Sequence, residues 1–127
     1  FSEYQASRIG KICDSLGLEC FNPLWHKDQA SYMKEVIKAG YKIIFSSIAA
    51  DGLSKEWLGK EITLEDVDKL VKLHAKNGLN VAGEGGEFES LVVDCPLFEK
   101  KIEVVDSSIE MENEYTGKYL IKKAKLV

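Results

Sequence analysis

Three glycines fall within four residues, at Gly83, Gly85 and Gly86, and the glutamates Glu84, Glu87 and Glu89 are interspersed with them. Glycine takes positive φ at no steric cost and leaves its N–H unshielded, so such a loop can come close to a phosphate or an oxyanion. The carboxylates would repel an anion unless a metal, an ammonium ion or a basic residue intervened. They suit a cation directly. The stretch does not match the glycine-rich phosphate cradle that ends in Gly-Lys-Ser/Thr. A glycine-rich turn between two strands has the same composition, and these residues alone leave both readings open.

Two further groups bear on chemistry. Tyr4 and Arg8 stand four apart, the spacing of a side-chain pair on one helix flank, and Arg8 is the only arginine, so bidentate gripping of a phosphate or carboxylate falls to it. A solvated helix edge is the plainer account. Trp25-His26 and Trp57 lie in expected loops, where a tryptophan either covers a ligand or plugs the edge of the core; plugging is favoured. His26 and His74 lack metal-ligand spacing, no metal site is assigned, and neither histidine is given a catalytic role. His74 is expected to cap or pack on its helix.

The elements that must position these groups follow from periodicity. From Glu3 to Leu16 the residues Ile9, Ile12, Cys13 and Leu16 form the stripe of an amphipathic helix that stops at Gly17. Leu18 to Phe21 reads as a short strand, broken by Asn22-Pro23. Asp28 N-caps a second helix through Lys38, with Met33, Val36 and Ile37 inward and Gly40 as its stop. The apolar run Tyr41 to Ala50 predicts a central parallel strand buried on both faces. Leu53 to Lys60 reads as a loop with a helical turn at Trp57. Thr63 then N-caps a helix with Asp66 at its third position and Ile62 and Val67 placed for a hydrophobic staple; its face is Leu64, Val67, Leu70, Val71 and His74, and Asn77-Gly78 ends it. Asn80 to Ala82, Leu91 to Asp94, Ile102 to Val105 and Tyr119 to Lys125 complete the strands. The expected fold class is α/β, a short, partly parallel sheet with flanking helices and an antiparallel β segment at the C-terminus.

The chain has 127 residues, 45% hydrophobic and 30% charged, enough for a single packed domain over residues 1–127. A formal net charge of -4 provides no basic field for a nucleic-acid backbone, so general nucleic-acid binding is not expected. No run reaches the roughly 18 apolar residues of a membrane span. Cys13, Cys20 and Cys95 are odd in number without C-x-x-C spacing, which points to reduced thiols and an intracellular, cytoplasmic setting. Phe1 in place of Met, with helical periodicity starting at once, suggests a chain entered midway. A homo-oligomer is left open.

Taken together, Ser2-x-Tyr4-Gln5-x-x-Arg8, Pro23-Leu24-Trp25, Trp57-Leu58-Gly59, Ala82-Gly83-Glu84-Gly85-Gly86-Glu87-Phe88-Glu89 and Asp94-x-Pro96-Leu97-Phe98 resemble the diphthine-ammonia ligases, also classed as N-type ATP pyrophosphatases. The resemblance implies the carboxy-terminal half of such an enzyme. The family's amino-terminal half has a Rossmann-like nucleotide-hydrolase fold with a Ser-Gly-Gly-Lys-Asp-Ser loop for ATP, which this sequence does not contain. The implied reaction activates the carboxylate of diphthine, on translation elongation factor 2, as an acyl-adenylate; ammonia then displaces AMP to give diphthamide. ATP, with Mg as a possible companion, is the implied cofactor, and the elongation factor and ammonium are the implied partners.

On that reading Glu84 and Glu87 bind ammonium and accept a proton as the amine attacks, while Gly83, Gly85 and Gly86 hold the oxyanion or the AMP phosphate. Glu87, Glu89 and Trp25 cradle the trimethylammonium group of diphthine. Asp51 and Gly52 approach the glycine loop by the crevice rule for α/β sheets. Tyr4 and Arg8 are the nucleotide-side candidates. An ATP pyrophosphatase with another acceptor, and a non-catalytic module that docks the translation factor, are the rival expectations.

Overall fold

The computed structural model describes residues 3–127. Its elements run α1 (Glu3–Leu16), α2 (Gln29–Lys38), β1 (Lys42–Ala49), a single 3-10 turn (Lys55–Trp57), α3 (Leu64–Asn77), β2 (Phe88–Asp94), β3 (Ile102–Met111) and β4 (Thr116–Leu126). The four strands form one sheet in the order β2-β1-β4-β3. Ser2, part of the helix-one motif, lies outside the described residues.

The class is mixed α/β as expected, but the sheet is antiparallel at every ladder, so the partly parallel arrangement is corrected. The cause lies in the path after β1. Gly59 N–H donates to the Phe45 carbonyl and Ile62 N–H to that of Ile43, so the segment from residue 58 to 62 runs back along β1 to its starting end. Helix α3 then climbs to the far end, where Asn77 Nδ2 donates to the Asp51 carbonyl just beyond β1. A strand entered from that end can only descend, and β2 does so with Ile48 opposite Phe88 and Phe45 opposite Ser90. In a parallel β-α-β crossover the helix itself makes the return run.

Two expected strands are absent. Residues 18–21 form no ladder: Gly17 (φ 65) reverses the chain, Leu18 N–H returns to the Cys13 carbonyl at 2.8 Å, and Leu18 and Phe21 point outward. Residues 80–82 form a turn instead, drawn in by the Asn80 side chain. The expected helix ends are found: Asp28 accepts from Ser31 N–H, Thr63 caps α3 and Gly78 (φ 72) closes it; Asp66 returns the Thr63 bond, which completes a reciprocal capping box. His74 Nδ1 donates to the Leu79 carbonyl at 2.7 Å, which stitches the helix end to the following chain.

The core lies between one sheet face and the helices α2 and α3. Phe45 is fully buried and stacks on Phe88 (3.9 Å between centroids) and Trp57 (5.9 Å), with Ile48, Leu53, Ile62, Val67 and Leu70 around them. Trp57 is thus a core plug. The α1 stripe does not join this core: Ile9, Ile12 and Leu16 are 41%, 57% and 65% exposed, and no residue of α1 is buried. On α3, Val67 and Leu70 carry the inward face while Leu64 and Val71 sit on its flank.

Candidate functional site

The glycine loop enters β2 at the end of the sheet where β1 finishes, pinned there by Ala49 N–H donating to the Glu87 carbonyl at 2.8 Å. Asn80 organises it. Asn80 Oδ1 accepts from the N–H groups of Ala82 and Glu84, both at 3.1 Å, and its carbonyl accepts from Gly83 N–H at 3.0 Å. This local side-chain bonding competes with strand formation and explains why residues 80–82 turn rather than extend. Gly83 (φ 73) and Gly86 (φ 86) occupy the left-handed region, and a Cβ on Gly83 would lie 2.6 Å from the Phe88 ring.

The loop's donors are largely committed. The N–H groups of Ala82, Gly83, Glu84 and Gly86 all bond within the protein, the last to the Gly83 carbonyl at 3.2 Å. Glu87 folds beneath the loop: Oε1 accepts from Asn80 N–H at 3.0 Å, and the buried Oε2 has no hydrogen-bond partner. A Cβ on Gly85 would lie 2.6 Å from Glu87 Oε1, so glycine there is what lets the carboxylate seat.

Glu84 instead lines a cavity of about 500 Å³ whose wall includes Trp25, His26, Tyr32, Phe21 and the carboxylate-bearing Glu3 of α1. Trp25 and His26 stack at 4.6 Å with 24° between their planes, and His26 holds φ 63, uncommon for a residue with a side chain. Lys27 also reaches the wall, but its ammonium pairs with Glu35 at 2.5 Å. The cavity therefore sets aromatic faces beside two carboxylates, a combination that attracts alkylammonium cations.

Of the expected site residues, Glu84 and Trp25 come together at this cavity. Glu87 sits under the loop, and Glu89 is exposed on β2; neither lines it. Asp51 and Gly52 occupy the same end of the sheet but border a separate hollow of about 600 Å³ with Met111 and Tyr115. The Tyr4–Arg8 pair forms, with a hydrogen bond from the guanidinium to the phenol oxygen and Arg8 Cζ 5.2 Å from the ring centroid, on an exposed flank of α1 outside the cavity. No group of three or more metal-ligating side chains gathers among the described residues. Asn80 and Tyr32 escaped the sequence reading. An asparagine three residues before a left-handed glycine was the available signal for Asn80; Tyr32, one turn into α2, gave none.

Residues 28–127 match the diphthamide synthase C-terminal domain family. The chain belongs to that family. The matched range holds the whole sheet, α2, α3 and the glycine loop, whereas Trp25, His26 and α1 precede it. The chain is 40% identical over 123 residues to the diphthine–ammonia ligase of Schizosaccharomyces pombe, covering 97% of this chain and 20% of that protein. Against the diphthine–ammonia ligase of Mus musculus it is 43% identical over 108 residues, covering 84% of this chain and 40% of that protein. The Saccharomyces cerevisiae diphthine–ammonia ligase is 32% identical over 123 residues, covering 83% of this chain and 18% of that protein. This member of the diphthamide synthase C-terminal domain family thus spans two fifths or less of each of these relatives.

Proposed function

We propose that this chain is the acceptor-side domain of an ATP-dependent ligase that amidates diphthine on translation elongation factor 2 with ammonium, a step of diphthamide biosynthesis in the cytoplasm. The observation that carries the reading is the cavity that joins Glu84 of the glycine loop to Trp25 and Tyr32, within a chain whose relatives are named diphthine–ammonia ligases. Trp25 and Tyr32 offer π faces, and Glu3 and Glu84 negative charge, to the trimethylammonium group of the acceptor. Glu84 also meets ammonium and takes the proton that the amine releases as it attacks the activated carboxyl carbon.

Glu87 and Asn80 are assigned to holding the loop, so that Glu84 lines the cavity. Among the described residues, Arg8 donates to Tyr4, and four loop N–H groups are spent internally. ATP and any Mg are therefore assigned to the remainder of the parent ligase, which forms the acyl-adenylate. The test is ammonium-dependent AMP release by the parent ligase with diphthine-bearing elongation factor 2, set against nucleoside and other small acceptors. Release with the factor alone supports the reading. No release with the factor, or release only with another acceptor, refutes it.

A further inference from the structure

The cavity is bordered by stretches far apart in sequence: residues 21–27 with Gln29 and Tyr32 on one side of the chain's path, and Glu84 of the glycine loop on the other. The start of α2 braces the first, where the Asp28 carboxylate accepts from Ser31 N–H at 2.8 Å and the Asp28 carbonyl from Tyr32 N–H at 2.9 Å. Gln29 opens α2 and Tyr32 follows three residues on, on the same helix flank, so both line the cavity. Asn80 fastens the glycine loop to itself, because the N–H groups its side chain binds belong to Ala82 and Glu84. Gln29 reaches across. Its Oε1 accepts from Ala82 N–H at 3.3 Å, over a separation of 53 residues, and shares that donor with Asn80 Oδ1 at 3.1 Å. The N–H opposite the amide fixes its orientation, oxygen toward Ala82. Ala82 stands two residues before Glu84, so this bond ties the helix that carries Tyr32 to the backbone that carries the carboxylate.

We propose that Gln29 is a positioning residue that sets where Glu84 stands relative to the Trp25 and Tyr32 wall; its bearing on catalysis rests on the ligase reading, while the link itself does not. Gln29 touches no reacting atom in this role. A neutral amide suits it, because it accepts from Ala82 N–H without adding a third carboxylate to Glu3 and Glu84 at the cavity. Without Gln29, Ala82 N–H keeps its bond to Asn80, so the loop retains its internal turn and only its placement against α2 is released. The loss therefore falls on the geometry of the site far more than on the stability of the fold.

Two variants separate the acceptor from the bulk of the side chain. Gln29→Met keeps its length and removes the acceptor, whereas Gln29→Glu keeps an acceptor at the same reach. In this chain, amide exchange of Ala82 is expected to quicken about fivefold in Gln29→Met and to stay near the parent in Gln29→Glu. Unchanged exchange in Gln29→Met would overturn the link, whatever the ligase does. In the parent ligase, kcat/KM for ammonium is expected to fall about 10-fold in Gln29→Met, with KM for ATP and the melting temperature unchanged, and Gln29→Glu is expected to match or exceed the parent. Parent-like ammonium kinetics in Gln29→Met, or a loss shared equally by ATP, would overturn the positioning role. Absence of ammonium-dependent AMP release from the unsubstituted ligase refutes the ligase reading and with it the catalytic purpose of the link, while faster Ala82 exchange still supports the link.

Discussion

Asn80 and Glu87 hold each other across the glycine loop: the Asn80 N–H donates to Glu87 Oε1 at 3.0 Å, while Asn80 Oδ1 binds the N–H groups of Ala82 and Glu84. One asparagine thereby fixes both the loop backbone and the carboxylate beneath it, and Glu84 is left lining the cavity. Glu87→Gln keeps the Oε1 acceptor and relieves the burial of a charge. Its unfolding free energy is expected within about 1 kcal/mol of the parent, whereas Glu87→Ala orphans the Asn80 N–H and costs about 1–3 kcal/mol. Urea denaturation of both variants checks this; equal losses would show that the hydrogen bond does not hold the loop.

The glycines of the loop are unequal. Gly83→Ala meets both the positive φ and the Phe88 ring, and is expected to cost about 2–4 kcal/mol. Gly86→Ala meets open space, and only the backbone penalty of about 1 kcal/mol applies. The same denaturation series ranks them, and a Gly86 variant as unstable as the Gly83 one would contradict the close packing of Gly83 on Phe88.

Trp57 and Trp25 separate core from cavity wall. Trp57 is 8% exposed and stacks on Phe45, so Trp57→Ala should cost about 3–5 kcal/mol. Trp25→Ala should cost less than about 1.5 kcal/mol while abolishing any change of intrinsic fluorescence on titration with tetramethylammonium. Retention of that spectral response without Trp25 would remove it from the cation's path.

Asp66 provides a pH signature. Burial pushes its carboxyl up, but hydrogen bonds from Lys60 and from the backbone and hydroxyl of Thr63 outweigh it and hold the group below the usual carboxylate range. A carboxyl with a depressed folded pKa stabilises the fold above its unfolded value and loses that stabilisation as pH falls through the folded one. Asp66→Asn should therefore cost about 1–2 kcal/mol at neutral pH, and the difference should shrink below about pH 4. A difference constant from about pH 7 to about pH 2 would contradict the ion-paired capping box.

Local signals were the legible part of this chain. The Thr63 cap, the Asp28 cap and the Gly78 stop depend on neighbours in sequence, and each sits where its residues place it. The direction of β2 relative to β1 depended on whether the return run is made by a helix or by the extended residues 58–62, a tertiary choice that no periodicity encodes. The α1 stripe was legible, yet its amphipathicity could not tell which surface it covers. At the site the glycine-glutamate loop stood out, but the division of labour between Glu84 and Glu87 did not. It turns on Asn80 and on the space left at Gly85.

Glu84 is the carboxylate on which the proposed chemistry turns, and one comparison in the parent ligase tests it. Ammonium-dependent amidation of diphthine-bearing elongation factor 2 is measured for Glu84→Gln and for Glu89→Gln, with melting temperature as the fold control. The predicted result is a fall on the order of 100-fold or more for Glu84→Gln at unchanged melting temperature, with Glu89→Gln near the parent rate. A Glu84→Gln enzyme that amidates as fast as the parent would contradict it.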